Sequence, residues 1–158
     1  MHAWHLRPAS AADVEPVAEL RAVVMRPDLE RLGRYDGHRV RQRLRDAFDP
    51  AHTWVVEAGG AFAGCVALRP ADGGYWLEHF YLAPEAQGAG IGSGVLRGLL
   101  DRCDRERAPV RLNVLRGSPA RRLYERLGFV PESEDAVDVF MVRPLSPAPS
   151  RPGAPGAC

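Results

Sequence analysis

The spacing of apolar positions switches six times between strand-like and helix-like periods along this chain, and each change marks a boundary between predicted elements. His5–Arg7 predicts a short first strand. Val14, Val17, Leu20 and Val24 then recur at the three-to-four-residue spacing of one helix face. Ser10 and Asp13 both have the residue type of a helix cap, and Pro16, tolerated only in a first turn, favours Asp13. Arg26-Pro27 predicts the end of this helix. A second helix follows Asp36, with Val40, Leu44 and Phe48 on one face and Pro50 as its stop.

The period next drops toward two. Thr53–Ala58 and Ala61–Leu68 are β-rich runs joined by Gly59-Gly60, a hairpin signal, and Asp72-Gly73-Gly74 turns the chain into a strand from Tyr75 to Leu82. Helical spacing returns after a glycine-rich loop and continues to about Arg107, before an apolar strand at Val110–Leu115. Ser118-Pro119 has the residue order of a helix start, with serine as cap and proline at the first position. Ala120, Leu123, Tyr124 and Leu127 give that helix a face, and Gly128 closes it. Phe129-Val130 and Val137–Val142 predict the last strands. The order is β-α-α-β-β-β-α-β-α-β-β, with no internal repeat. Residues 1–144 read as one domain and 145–158, rich in Pro, Ala, Gly and Ser, as a disordered tail.

Composition narrows the function classes without choosing one. The 158 residues are 46% apolar and 26% charged, an ordinary balance for one globular domain with a real core. A net charge of +1 gives no support to nucleic-acid or membrane partners. The chain has no lysine, so all 21 basic residues are arginine. Cys65, Cys103 and Cys158 share no metal-ligand spacing, so neither a metal site nor a disulfide framework is expected. Cys103 falls in register with Leu96, Leu99 and Leu100 and reads as a small core residue. With no run of about 20 apolar residues and no signal-peptide core at the N-terminus, the expectation is a cytoplasmic protein.

The chemistry starts at Gln87–Gly94, where alternating glycines meet the start of a helix. Backbone N–H groups there suit an anion. A Walker A loop needs a lysine, which this chain lacks. A dinucleotide fingerprint would need its third glycine at Ser93 or Val95. Gln87-Gly88-Ala89-Gly90-Ile91-Gly92 instead matches Q/R-x-x-G-x-G/A, and about thirty residues later Ala120–Phe129 gives A-x-x-L-Y-x-x-x-G-F. With these two motifs the chain resembles the GCN5-related N-acetyltransferase (GNAT) superfamily over roughly His5 to Arg143. The resemblance implies a mixed α/β fold with a mostly antiparallel, twisted sheet of six to seven strands flanked by about four helices.

It also implies acetyl-CoA as co-substrate. The coenzyme A pyrophosphate would lie on Gln87, Gly88, Ala89, Gly90, Ile91 and Gly92, and the pantetheine along the edge Phe80, Tyr81 and Leu82. Gly94 and Gly98 read instead as packing glycines inside the helix. Tyr124 occupies the position of the family's general acid for the leaving thiolate. Glu78, among large apolar neighbours, is the candidate base, and His79 its rival. Strand alternation points these two to opposite faces, so at most one would face the substrate. Ser118 stands where relatives commonly carry asparagine, and Asn113 is a further candidate toward the cofactor.

For the acceptor, Arg26, Arg34 and Tyr35 could clamp an anion such as a carboxylate, with Trp76 as an apolar wall; a solvated charged loop competes with that reading. The expected activity is acetyl transfer to a primary amine, on a small molecule in the first reading and on a protein N-terminus or lysine in the second, directly in a ternary complex. A non-catalytic acyl-CoA-binding module on the same fold is the alternative. Homodimerisation is frequent in the family, but nothing in the sequence demands it.

Overall fold

The computed structural model describes residues 3–145. The reading of 145–158 as a tail lies, Leu145 apart, outside the described residues. Seven strands form one sheet in the order β1-β2-β3-β4-β5-β7-β6. They are β1 Trp4–Pro8, β2 Thr53–Ala58, β3 Ala61–Ala71, β4 Gly74–Leu82, β5 Val110–Leu115, β6 Val130–Glu134 and β7 Asp138–Arg143. The helices are α1 Val14–Arg31, α2 Gly37–Ala47, α3 Ile91–Arg105 and α4 Ala120–Arg126. Every neighbouring strand pair is antiparallel except β4 and β5. The fold class and element order expected from the sequence are those observed.

Two apolar clusters hold the helices to the sheet. The larger joins Ile91, Val95, Leu96, Leu99, Leu100 and Cys103 of α3 to Val56, Val66, Leu68, Leu77, Leu112 and Val114, and takes in Tyr124 and Phe129. The smaller sets Val17 and Ala18 of α1 and Leu44 of α2 against Cys65. Each helix thus buries one stripe, as its spacing requires.

The first helix departs from expectation. Asp13 ends a short 3-10 turn opened by Ser10 and completes a capping box with it, while its carboxylate also accepts two hydrogen bonds from Arg7 at 2.8 and 3.0 Å. The helix then runs through Pro27 to Arg31 instead of stopping. Proline removes the hydrogen bond that would reach the carbonyl of Val23. Val23 is 54% exposed, so water can take that carbonyl, and the helix continues at reduced cost. The extra turns carry α1 across the end of the β4–β5 junction, where its side chains enter the site described below.

Candidate active site

The parallel pair β4–β5 is hydrogen-bonded in register only at its start, Tyr75 with Val110 and Trp76 with Arg111. Beyond Trp76 the two strands part. Residues 77–82 remain paired to β3 on one side, and Leu112–Leu115 remain paired to β7 on the other. The facing edges keep backbone donors and acceptors with no strand between them. A cavity of about 220 Å³ occupies this fork.

A bulge in β4 decides which side chains enter it. His79 has φ of +49°, and β4 spans Glu78 to Tyr81 while β3 spans only Ala67 to Cys65. The extra residue shifts the alternation, so that Glu78 and Tyr81 share a face that strict alternation would have divided. The Cys65 thiol donates to the carbonyl of His79 at 3.1 Å from beneath. Glu78 and His79 both line the cavity, which corrects the expectation that at most one could.

Their environments differ. The Glu78 carboxylate accepts from Arg69 Nε at 3.0 Å. The His79 ring makes no hydrogen bond to any described residue, and burial pushes its pKa below the usual 6.5; the positive charges of Arg21 and Arg69 add to this and Glu78 opposes it.

Two phenols complete the wall. Tyr81 accepts from Arg21 Nε at 3.0 Å, and burial pushes it up to about 12. Tyr124 is 8% exposed and packs edge-on against Phe129 with ring centroids 5.8 Å apart. Its hydroxyl has no partner among the described residues, lines the cavity, and is held protonated by burial. Ser118 Oγ accepts from the amide of Ala120 at 3.2 Å and lines the cavity; α4 begins at Ala120 with Pro119 in the cap position, one residue later than expected. Burial pushes the Cys65 thiol up to about 12, too weak an acid to serve as a nucleophile.

The glycine loop lies at the far end of the same fork. Gly88 and Gly90 have φ of +79° and +81°, a region other residues enter only at a cost. In this conformation the amides from Gly88 to Ser93 donate to no acceptor among the described residues, at the positive end of a fifteen-residue helix. Such a cradle fits a pyrophosphate.

Gly92 has a second reason to be small. A Cβ there would lie 3.3 Å from both Phe80 and Leu82. Gly94 likewise packs, against Trp4, whereas Gly98 has nothing within 4 Å, so its packing role is not observed. Gln87 turns back, its side-chain amide donating to the carbonyl of Leu82 at 3.0 Å; it braces the loop against the strand end.

Other expected site residues lie elsewhere. Arg26 pairs with Glu30 and stacks on Tyr35 at 4.7 Å, and neither Arg26 nor Tyr35 lines the cavity. Trp76 is covered by Arg69, 5.9 Å from its ring, and does not wall the site. Asn113 donates to Asp138 at 2.9 Å and faces a second recess as well as the cavity. Arg34 does reach that recess.

Four residues from α1 were missed, Arg21, Val24, Met25 and Asp28, all of which line the cavity. Arg21, Val24 and Met25 lie ahead of Pro27, Val24 on the apolar stripe and Arg21 and Met25 each one position beyond a stripe residue; only Asp28 required the helical period to be carried past the proline. Arg31 fixes this end of α1, donating to Asp28 at 2.8 Å and to the carbonyl of Arg116 at 2.6 Å.

Residues 49–131 match the acetyltransferase (GNAT) domain family, and the chain belongs to that family. No curated protein sequence matches it. Among solved structures it is similar to PaiA N-acetyltransferase from Thermoplasma acidophilum in complex with coenzyme A, at TM-score 0.73 and 19% identity, covering 90% of this chain and 99% of that one. Ribosomal-protein-S18-alanine N-acetyltransferase from Escherichia coli aligns at TM-score 0.71 and 16% identity, over 94% of this chain and 97% of that one. N-acetylglutamate synthase from Neisseria gonorrhoeae, complexed with coenzyme A and L-arginine, aligns at TM-score 0.63 and 21% identity; the match covers 90% of this chain and 33% of that one. At these identities the likeness is one of fold. Among the described residues, no helix is long and apolar enough to cross a membrane.

Proposed function

We infer that this protein transfers the acetyl group of acetyl-CoA to a primary amine on a small molecule, directly within a ternary complex. The observation that carries this reading is the unpartnered hydroxyl of the buried Tyr124 ring, open to the β4–β5 fork on the same cavity as Glu78 and His79. The amides from Gly88 to Ser93 would hold the pyrophosphate of coenzyme A, and the free edge of β4 the pantetheine. The family and two neighbours that hold coenzyme A support this use of the loop.

The acceptor arrives as an ammonium and must lose a proton before it attacks. Glu78, a carboxylate beside the cavity, attracts the ammonium but is tied to Arg69. His79, neutral and without a partner, is the better proton acceptor. This reverses the ranking expected from the sequence. The amine nitrogen then bonds to the acetyl carbon, free β4 amides stabilise the oxyanion, the C–S bond breaks as Tyr124 gives its proton to the departing thiolate, and the nitrogen releases its second proton to solvent, from which Tyr124 is reprotonated. With both described cysteines buried, no acyl-cysteine step is needed.

Replacing Tyr124 with Phe keeps the ring and removes the acid. Turnover in a thiol-release assay should fall by about 10²-fold or more while acetyl-CoA affinity by calorimetry stays within a few-fold. Unchanged turnover would remove Tyr124 from the chemistry. Tight acetyl-CoA binding without turnover on any amine would instead favour a binding module.

A further inference from the structure

Beside the catalytic cavity lies a recess of about 530 Å³, bounded by α1, α2 and the β6–β7 turn. The two share Arg21, Met25, Asn113, Leu115 and Asp138, so a molecule placed in one reaches the other. The arginines of α2 divide into two ladders on this helix. Arg41 and Arg45, one turn apart, form two-point pairs with Glu19 and Glu15 of α1, and so fasten the two helices together. Arg39 and Arg43, also one turn apart, line the recess and pair with no carboxylate among the described residues. Arg34, from the turn between α1 and α2, joins them there and is likewise unpaired.

The recess also contains three carboxylates, each with its Oδ1 engaged and none within ion-pair distance of Arg34, Arg39 or Arg43. Asp36 accepts from the amides of His38 and Arg39, Asp135 from those of Val137 and Asp138, and Asp138 from Asn113. Three guanidinium groups therefore keep free donors around a concave space, where planar forks match a carboxylate. Glu78, Asp28 and His79 lie at the other end, on the catalytic cavity. A molecule with an amine at one end and a carboxylate at the other matches both.

We propose that the acceptor is a small amino-carboxylate whose carboxylate is held by Arg34, Arg39 and Arg43 while its amine lies between Glu78 and His79. This rests on reading the cavity as a site of N-acetyl transfer, and it moves the anion clamp from Arg26 and Tyr35, which the fold turns away, onto the unpaired face of α2.

The test uses matched pairs, γ-aminobutyrate against butylamine, and glycine and L-alanine against glycinamide and L-alaninamide. Thiol release with acetyl-CoA is measured for the full-length protein and for the Arg39→Ala/Arg43→Ala double variant. At least one carboxylate should be preferred over its neutral partner by about tenfold or more in kcat/KM. In the double variant that ratio should fall toward one, through KM more than kcat. A preference for neutral amines, or a ratio the variant leaves unchanged, overturns the proposal while leaving N-acetyl transfer intact.

Calorimetry of the same compounds in the presence of coenzyme A separates the two readings. A carboxylate that binds the parent protein and not the variant, without turnover, supports the recess and counts against the enzyme. Binding of none of them, with no turnover, overturns the proposal.

Discussion

The two sides of the β4–β5 fork present donors of different kinds. On the α3 side they are backbone amides from Gly88 to Ser93, aimed by two positive φ angles and by the helix behind them. On the α1–α2 side they are guanidinium groups on long side chains, brought together from a turn and a helix. The first arrangement is local, built from one short stretch of chain, and its geometry follows from where glycine stands. The second exists only after two helices have packed, and no arginine in it forms an ion pair with another described residue. The difference suits a constant co-substrate on one side and a variable acceptor on the other.

A change on the amide side should therefore disturb cofactor binding first. Alanine at Gly90 must take φ near +81°, at a cost of about 1–2 kcal/mol, or let the loop move. Expected is a loss of about tenfold in acetyl-CoA affinity by calorimetry. A fall of a few degrees in melting temperature should accompany it. Retained affinity in Gly90→Ala would mean that the amides there do not hold the ligand.

Between the two sides sits His79, and its protonation supplies a second test. Its pKa is lowered in the folded protein, so the neutral ring persists below pH 6.5 and the acid limb of kcat/KM should fall below that value. The unfolded chain binds the proton more readily in this window. Folding stability should therefore rise as pH rises from the lowered value through 6.5, and drop as pH falls. His79→Gln should remove that limb and cut kcat/KM by about 10²-fold; an unaltered limb would assign the proton acceptor elsewhere, with Glu78 first. The smallest effect belongs to Gly98, in the interior of α3 with open space beside it. Gly98→Ala should raise stability by about 0.5–1 kcal/mol in denaturant titration and leave both ligands' affinities unchanged.

The same contrast explains what the sequence could tell. The glycine loop, the strand before it and the Ala120–Phe129 helix were legible because their signals lie within a few residues of one another. Tyr124 followed from its motif and is where the cavity needs it. The acceptor side was not legible. Pro27 looked like a stop, although α1 runs through it to Arg31, and so Asp28 was overlooked; Arg21 and Met25 lie ahead of the proline but off the apolar stripe of Val14, Val17, Leu20 and Val24. Nothing local separates Arg39 and Arg43 from Arg41 and Arg45; only the position of Glu15 and Glu19 on the neighbouring helix does so. The bulge at His79 was also hidden, since its partner strand and the supporting Cys65 lie fourteen residues away in the chain.

That bulge works as a half-period phase slip in a wave of alternating side chains. Up to Leu77 the strand keeps one phase, and from Tyr81 onward it keeps the opposite one, so β4 is two registers joined end to end. The slip delivers a carboxylate, an imidazole and a phenol into the same fork from four consecutive residues, a density that an unbroken strand cannot reach. Deleting a single residue between Glu78 and Tyr81 would restore the wave and leave those two on one face, two positions apart, but the residue left between them would point to the opposite face and the imidazole would leave the fork.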